Sequence, residues 1–377
     1  MNNKNTIFII NYFYVWPVDN GGKYHLSRNI AYLVKNYENL RVLQGLGNQQ
    51  EIPVDLKQNI QLCNGCNKAR KKSEIFSFIL FYLWAFKILI KNKHSTVITV
   101  GWNLTPLGVI TKFIAKGRWI NFIDDPLINM MSGRKASVKK IILRTFSKLS
   151  IFSDYTTLAN KEEIKIFSSM FKIDTKKIKH IPPICVNENF DDNYAFSRQI
   201  NGYEGKRIIL FFGDMTYKHN EHAALYVLNE LSPQIYENRK DVIFLIAGKG
   251  SERFKSTDAC EFLGFRSDTE LIELIRSSYL VIAPISEEFK SGMKTKVLRS
   301  ISLGTPVLGT EAALYGLERE GLPAFSASLE DFPYHLLNLL ERPEEVDKMR
   351  KIARRYIENF YSEKVLKIWD EIINIVD

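Results

Sequence analysis

Residues 283–310 read APISEEFKSGMKTKVLRSISLGTPVLGT, and the architecture follows from how this stretch is built. The apolar run Tyr279 to Ile285, broken by Pro284, gives way to a polar loop containing Gly292. Lys296 to Leu303 then shows helical spacing, and Gly304-Thr-Pro306 stops it before a second apolar run. The spacing predicts strand, loop, helix, turn, strand. In doubly wound parallel sheets, ligands bind where a loop leaves the carboxyl end of a strand for a helix, because free backbone N–H groups and the positive helix end face outward there. Lys290, Lys294 and Lys296 surround Gly292 in this loop, which suits an anionic guest such as a diphosphate. The same residues also make an ordinary solvated basic loop, since lysine is the commonest surface cation.

Around that stretch, 377 residues are enough for two α/β domains. With 45% hydrophobic and 25% charged residues the composition is globular. Lys+Arg 52 against Asp+Glu 42 leaves a net charge of +10, which favours anionic partners: phosphorylated small substrates, an acidic membrane surface or nucleic acid. No DNA- or RNA-binding signature accompanies the charge, so nucleic acid ranks last. Four cysteines in a chain this long suit a reducing compartment. Cys63 and Cys66 form a lone CNGC without the second pair a zinc site needs and read as loop thiols; no metal or cofactor is expected. Met1 to Ile10 lacks the long apolar region of a signal peptide, so the expected location is the cytoplasm.

The first half alternates strand-like and helix-like stretches. Thr6 to Asn11 is followed by a loop with Pro17 and Gly21-Gly22 and a helical segment from Lys23 to Lys35. A glycine pair at such a point lets backbone approach a ligand closely, or simply makes a tight turn. Further strands are predicted at Leu40 to Gln44, Thr96 to Val100, Trp119 to Ile123 and Tyr155 to Leu158, implying βαβ units and a parallel sheet. Asp124 and Asp125 lie just beyond one strand end, where a carboxylate can orient a hydroxyl or act as a base, or can cap the following helix. Ile75 to Ile90, IFSFILFYLWAFKILI, is interrupted by Lys87 and is shorter than a spanning helix. It reads as a half-buried helix or as one lying on an anionic membrane surface, with Arg70, Lys71 and Lys72 ahead of it.

Ile181-Pro-Pro183 and the polar stretch to Gly205 mark a boundary, after which the alternation restarts. Arg207 to Phe212 is a strand, residues 213–220 a polar loop, and Glu221 to Tyr236 a helix. Val242 to Ala247 ends in Gly248-Lys-Gly250, and Cys260 to Leu263 in Gly264-Phe-Arg266. The domains expected are 1–185, a linker over 186–205, 206–355, and a terminal helix over 356–377 with Trp369 and Ile372 on its apolar side.

The segments FFGDMTYKHNEHAALYVLNEL, FLIAGKG, FLGF and the opening stretch extended to YGL, in this order and spacing, resemble the carboxyl-terminal domain of GT-B glycosyltransferases, in particular the retaining group 1 (GT4-like) family. The likeness covers roughly Arg207 to Leu317 and is looser before it, through Gly21-Gly22 and NFIDDP. The resemblance implies an α/β GT-B fold: two Rossmann-like domains facing each other across a cleft, with the last helix crossing back to the first. It also implies transfer of a sugar from a nucleotide-diphosphate donor to a hydroxyl of a glycan or lipid-linked acceptor, with retention and no obligatory metal. That places the chain in cell-surface polysaccharide synthesis, at the cytoplasm or the inner face of the cell membrane.

Carried over by position, Lys218 falls on the family's diphosphate-contacting lysine and Gly213 on the preceding glycine, while the arginine often found next is Asp214. Lys294 and Lys296 match the subgroup reading SGxKxK, with Ser291 and Gly292 beside them, and Gly248 and Phe265 fall on the neighbouring donor loops. Of the family's two glutamates eight positions apart, the first is Ser291 here and the second, which grips the ribose hydroxyls, is Arg299. Guanidinium has no acceptor and does not replace a carboxylate there, though it adds charge near a phosphate. Glu311 is an alternative acceptor or a capping residue. The family's first-domain histidine has no evident counterpart, and Asp124 or Asp125 stands near its place; His180, His219 and His222 are not read as catalysts. The expected catalytic residues are Asp124, Asp125, Lys218 and Lys294. Two other readings remain, a catalytically silent GT-B partner subunit and a sugar-nucleotide epimerase.

Overall fold

The computed structural model describes residues 6–18, 21–127, 131, 137–185 and 200–374. The chain forms two compact units, Met1–Ile184 with Glu363–Asp377, and Cys185–Ser362.

The first unit is built on seven parallel strands: β1 (Ile7–Asn11), β2 (Leu40–Gln44), β3 (Ile60–Leu62), β4 (Thr96–Val100), β5 (Arg118–Ile123), β6 (Tyr155–Leu158) and β7 (Ile178–His180), ordered β3-β2-β1-β4-β5-β6-β7. Every residue of β1 is buried, as expected of a strand covered on both faces by crossover helices. Alternate side chains divide the core. Ile7 and Ile9 pack with Ile30, Phe122 and Trp369, whereas Phe8 and Ile10 pack with Phe81, Ala85 and Leu107. Helix Gly21–Asn36 and the chain's end therefore cover one face, and helices Glu74–Lys91 and Thr105–Phe113 the other.

The second unit carries six parallel strands, β8 (Arg207–Phe212), β9 (Val242–Ala247), β10 (Cys260–Gly264), β11 (Leu280–Ala283), β12 (Val307–Gly309) and β13 (Ala324–Ser326), ordered β10-β9-β8-β11-β12-β13. In both sheets the chain reverses direction of winding beside the first strand, between β1 and β4 and between β8 and β11. These are the switch points where the carboxyl-end loops diverge and leave a crevice.

Several expectations need correction. The glycine pair Gly21-Gly22 is the first turn of a helix rather than a loop ahead of it. The helix expected from Glu221 starts at Lys218 and runs on through a π turn at Val227–Leu231 to Asn238. Cys63 and Cys66 are buried in the core beside Phe81, and desolvation pushes the Cys63 thiol up. Helix Pro343–Phe360 belongs to the second unit, where Ala353, Tyr356 and Ile357 are buried, and the return to the first begins at Glu363. There Trp369 Nε1 donates to Asn29 Oδ1 at 2.8 Å, Tyr37 donates to Asp370 at 2.7 Å, and Arg118 donates to the Ile372 and Ile373 carbonyls. Of the expected linker, residues 186–199 lie outside the described residues.

Candidate functional site

The site is built at the β8/β11 switch point. β8 and β11 pair in register, Leu280 with Ile209 and Val281 with Leu210, so the loops after Phe212 and Ala283 leave side by side. Three glycine-bearing loops are laced together above the strand ends. Gly213 N–H donates to Ala247 O at 3.0 Å, Gly248 N–H to Gly264 O at 2.8 Å, and Met215 N–H to Lys249 O at 2.8 Å. Gly248 sits at φ 133°, and a Cβ there would lie 1.9 Å from Gly213 O. Only glycine fits that conformation and that approach.

Lys296 enters the same corner from the first turn of helix Thr295–Ser302. Its Nζ donates to Asn220 Oδ1 at 2.5 Å and lies 4.4 Å from the centroid of the Phe211 ring. Asn220 is buried and its Nδ2 donates to Asp214 O at 2.9 Å, so it ties the β8 loop to the lysine. Space for a Cβ at Gly213 is absent, with Asn220 Nδ2 and Lys296 Nζ both 2.8 Å away. Lys296 as a residue is half-buried, but its ammonium end points inward. Desolvation there, followed by repulsion from Lys294, pulls its pKa down to about 7. The same causes act on His219 in the first turn of helix Lys218–Tyr226, where burial and then Lys296 and Lys294 lower its pKa to about 4, leaving a neutral imidazole.

The two helices that start here have no side-chain cap: Tyr217 precedes helix Lys218–Tyr226, and Lys294 precedes Thr295–Ser302. The neighbouring helix Asp268–Ser277 carries a full capping box from Ser267 and Glu270. Backbone N–H groups left open beside lysines are a ready anion site.

The remaining expected residues are placed as follows. Lys294 Nζ donates to Ser291 O at 2.5 Å and Phe289 O at 3.2 Å, bracing the loop in which Gly292 takes φ 55°. Lys218 is exposed at its helix start, and Phe265 is 72% exposed after β10. Asp214, where the resembling family has arginine, accepts from Thr216 N–H and Oγ1 and so shapes its own turn. Arg299 donates to Asp268 in a short ion pair. Glu311 accepts from Ser326 and Arg319, which hold its carboxyl below the usual range in that order.

In the first unit, one pairing escaped sequence reading. His25, on helix Gly21–Asn36, is fully buried, and its Nδ1 lies 2.6 Å from Asp124 Oδ1 at the end of β5. Its Nε2 is buried without a partner among the described residues. The signal was the position of His25 three residues beyond Gly22, opposite an Asp 99 positions later, which spacing alone does not connect. Asp125 instead accepts from Leu127 N–H at 2.8 Å. No group of three or more metal-ligating side chains occurs among the described residues.

Residues 206–342 match the family model described as Glycosyl transferases group 1. An uncharacterized glycosyltransferase of Methanocaldococcus jannaschii is 25% identical over 242 residues, covering 59% of this chain and 58% of that protein. The chain thus aligns with little more than half the length of this relative. The structure of HepE from Anabaena with UDP superposes with a TM-score of 0.74 at 13% identity, over 98% of this chain and 100% of that one. Sucrose-phosphate synthase of Thermosynechococcus elongatus gives 0.73 at 12% identity, over 97% of both chains. The likeness to these structures is one of fold. The two parallel sheets give the chain the GT-B fold, and within it residues 206–342 are similar to the group 1 glycosyl transferases.

Proposed function

We propose that the protein transfers a sugar from a nucleotide-diphosphate donor to a hydroxyl of a glycan or lipid-linked acceptor, with retention, in cell-surface polysaccharide synthesis. The observation that carries this reading is the convergence at the β8/β11 switch point of Lys296, Lys294 and two uncapped helix starts around Gly213. Support comes from HepE, whose structures hold UDP and UDP-glucose.

In this reading the diphosphate lies against Gly213 and the helix starts, where backbone can approach closely. Lys294 and Lys296 match the negative charge that grows on the departing diphosphate, and Lys218 adds charge from the rim. Gly248 keeps the β9 loop out of the way, and Phe265 offers an exposed ring to the nucleotide base. Ser291 and Gly292 shape the loop, and Arg299, already paired with Asp268, contributes charge rather than a ribose acceptor. Asp124 and Asp125 serve the acceptor side, His25 holding Asp124 in place, and Gly21 and Gly22 are donor-binding residues that let backbone approach the sugar nucleotide closely. The acceptor hydroxyl attacks from the face the diphosphate leaves, and a phosphate oxygen takes its proton. Helix Glu74–Lys91 contacts the inner face of the membrane, where a lipid-linked acceptor would be met.

A thermal-shift screen of UDP-, GDP-, CMP- and dTDP-sugars without metal, repeated with Lys218→Ala, tests the donor site. Lys218 is the residue to change because it is exposed, whereas Lys294 braces its own loop. A shift with one nucleotide, reduced in the variant, supports the reading. No shift with any donor from folded protein overturns it and favours the silent subunit, to which Arg299 in place of an acidic ribose ligand also points. Release of free nucleotide without acceptor indicates the epimerase.

A further inference from the structure

Eighteen large hydrophobic side chains are exposed among the described residues, and eight of them lie on three helices that cover one face of the first unit's sheet. Scattered exposed hydrophobics are normal; a concentration of this kind marks a surface with an occupant. On helix Glu74–Lys91 the inward stripe is Ser77, Phe81, Ala85 and Leu89. The opposite stripe carries Ile75, Ile79 and Leu83, exposed by 74%, 50% and 63%, so the helix is apolar all round with only half of it covered. Helix Thr105–Phe113, packed beside it, ends in exposed Phe113. Helix Val138–Lys148 comes next and buries Leu143 and Ser147 while turning Ile141 and Ile142 outward.

Cations border this apolar surface. Lys87 follows the stripe on the first helix, and on the third Arg144 and Lys148 flank the outward isoleucines on the side away from Thr105–Phe113. There they line a cavity of about 360 Å³ whose other walls are Thr145, Met170, Phe171 and Lys172. Three cations over a floor of methionine and phenylalanine, with no carboxylate among the described residues of the lining, suit a phosphate joined to an apolar tail. No described helix is long and apolar enough to cross a membrane, so such a face can lie on a bilayer but not span it.

We infer that this three-helix layer is a bilayer-docking face, which seats the protein on an anionic membrane and takes a lipid headgroup phosphate between Arg144, Lys148 and Lys172. It deepens the membrane contact of the proposed function from one helix to a plane, and it does not depend on sugar transfer.

The test is flotation of the full chain with phosphatidylcholine vesicles, with and without phosphatidylglycerol. Three variants are compared: Ile75→Ser with Leu83→Ser, Ile141→Ser with Ile142→Ser, and Arg144→Ala with Lys148→Ala and Lys172→Ala. All change exposed side chains, and circular dichroism melts verify folding. The wild type floats with phosphatidylglycerol, each serine pair lowers partitioning about tenfold or more, and the triple alanine variant loses the preference for anionic lipid. Loss confined to the Ile75/Leu83 pair overturns the three-helix face while leaving a single-helix contact intact. No flotation by the wild type overturns both. Gel filtration showing a dimer that the serine pairs dissociate, without vesicle binding, assigns the face to a second copy of the chain instead.

Discussion

Nucleotide binding should carry the protonation signature of Lys296. In the free protein, burial and Lys294 hold this lysine at a pKa of about 7, so it is half neutral at that pH and almost wholly neutral by about pH 8.5. A diphosphate placed against Gly213 restores the favourable state of the ammonium and returns its pKa toward the ordinary lysine value. Binding must then take up a proton: about 0.5 per site near pH 7 and close to one near pH 8.5. UDP affinity falls with the same linkage, roughly tenfold per pH unit above about pH 7.5. His219 does not interfere, because its pKa of about 4 leaves it neutral throughout this range. Calorimetry in two buffers of different ionisation enthalpy reads the proton count directly, and Lys296→Met isolates the group. Binding without proton uptake near pH 8.5, or the same uptake in the methionine variant, would refute the placement of the diphosphate beside Lys296.

Lys296 should also cost stability. Its folded pKa is depressed, so the unfolded chain holds the extra proton between about pH 7 and pH 10, and wild-type stability rises with pH across that window. Lys296→Met should therefore gain on the wild type near pH 6 and lose about 2 kcal/mol of that gain by pH 9, read from urea midpoints. Gly248→Ala puts a Cβ 1.9 Å from Gly213 O at φ 133° and should destabilise the second unit by ~3 kcal/mol or more, with loss of any UDP-induced thermal shift. Asp124→Asn removes the carboxylate 2.6 Å from buried His25 and should cost about 1–2 kcal/mol, seen in the urea midpoint and in displaced ring signals of His25 by NMR. Arg299→Ala breaks a partly exposed pair with Asp268 and should change stability by less than about 1 kcal/mol, with UDP affinity within about threefold of wild type.

The strands were legible because a parallel sheet covered on both faces writes them as short runs rich in apolar and β-branched residues. Leu40–Gln44, Thr96–Val100 and Tyr155–Leu158 fall where periodicity put them. The three-residue strands Ile60–Leu62, Ile178–His180 and Ala324–Ser326 went unread, being too short to show a pattern on their own. Loop chemistry was legible as composition: glycines and lysines after strand ends. Its geometry was not, because Lys296 meets Asn220 across 76 positions and His25 meets Asp124 across 99. Nothing in local spacing encodes such contacts; the sheet order creates them. Arg299 illustrates the converse, since a motif position identified it and only the structure supplies its partner, Asp268.

The first unit is completed by the far end of the chain, and this orders its assembly. On the ribosome, residues up to Ile184 emerge well before Trp369, and the slot formed by Ile30, Phe122 and Ile184 stays open in the meantime. At roughly 5–20 residues per second, synthesis of the intervening second unit takes about 10–35 s. Throughout that interval the first unit is a nascent body with an unfilled greasy notch, a natural client for chaperones. Cutting the gene at residue 184 would therefore yield not an isolated domain but a permanently unfinished one, lacking the indole that Asn29 holds and the carbonyls that Arg118 grips.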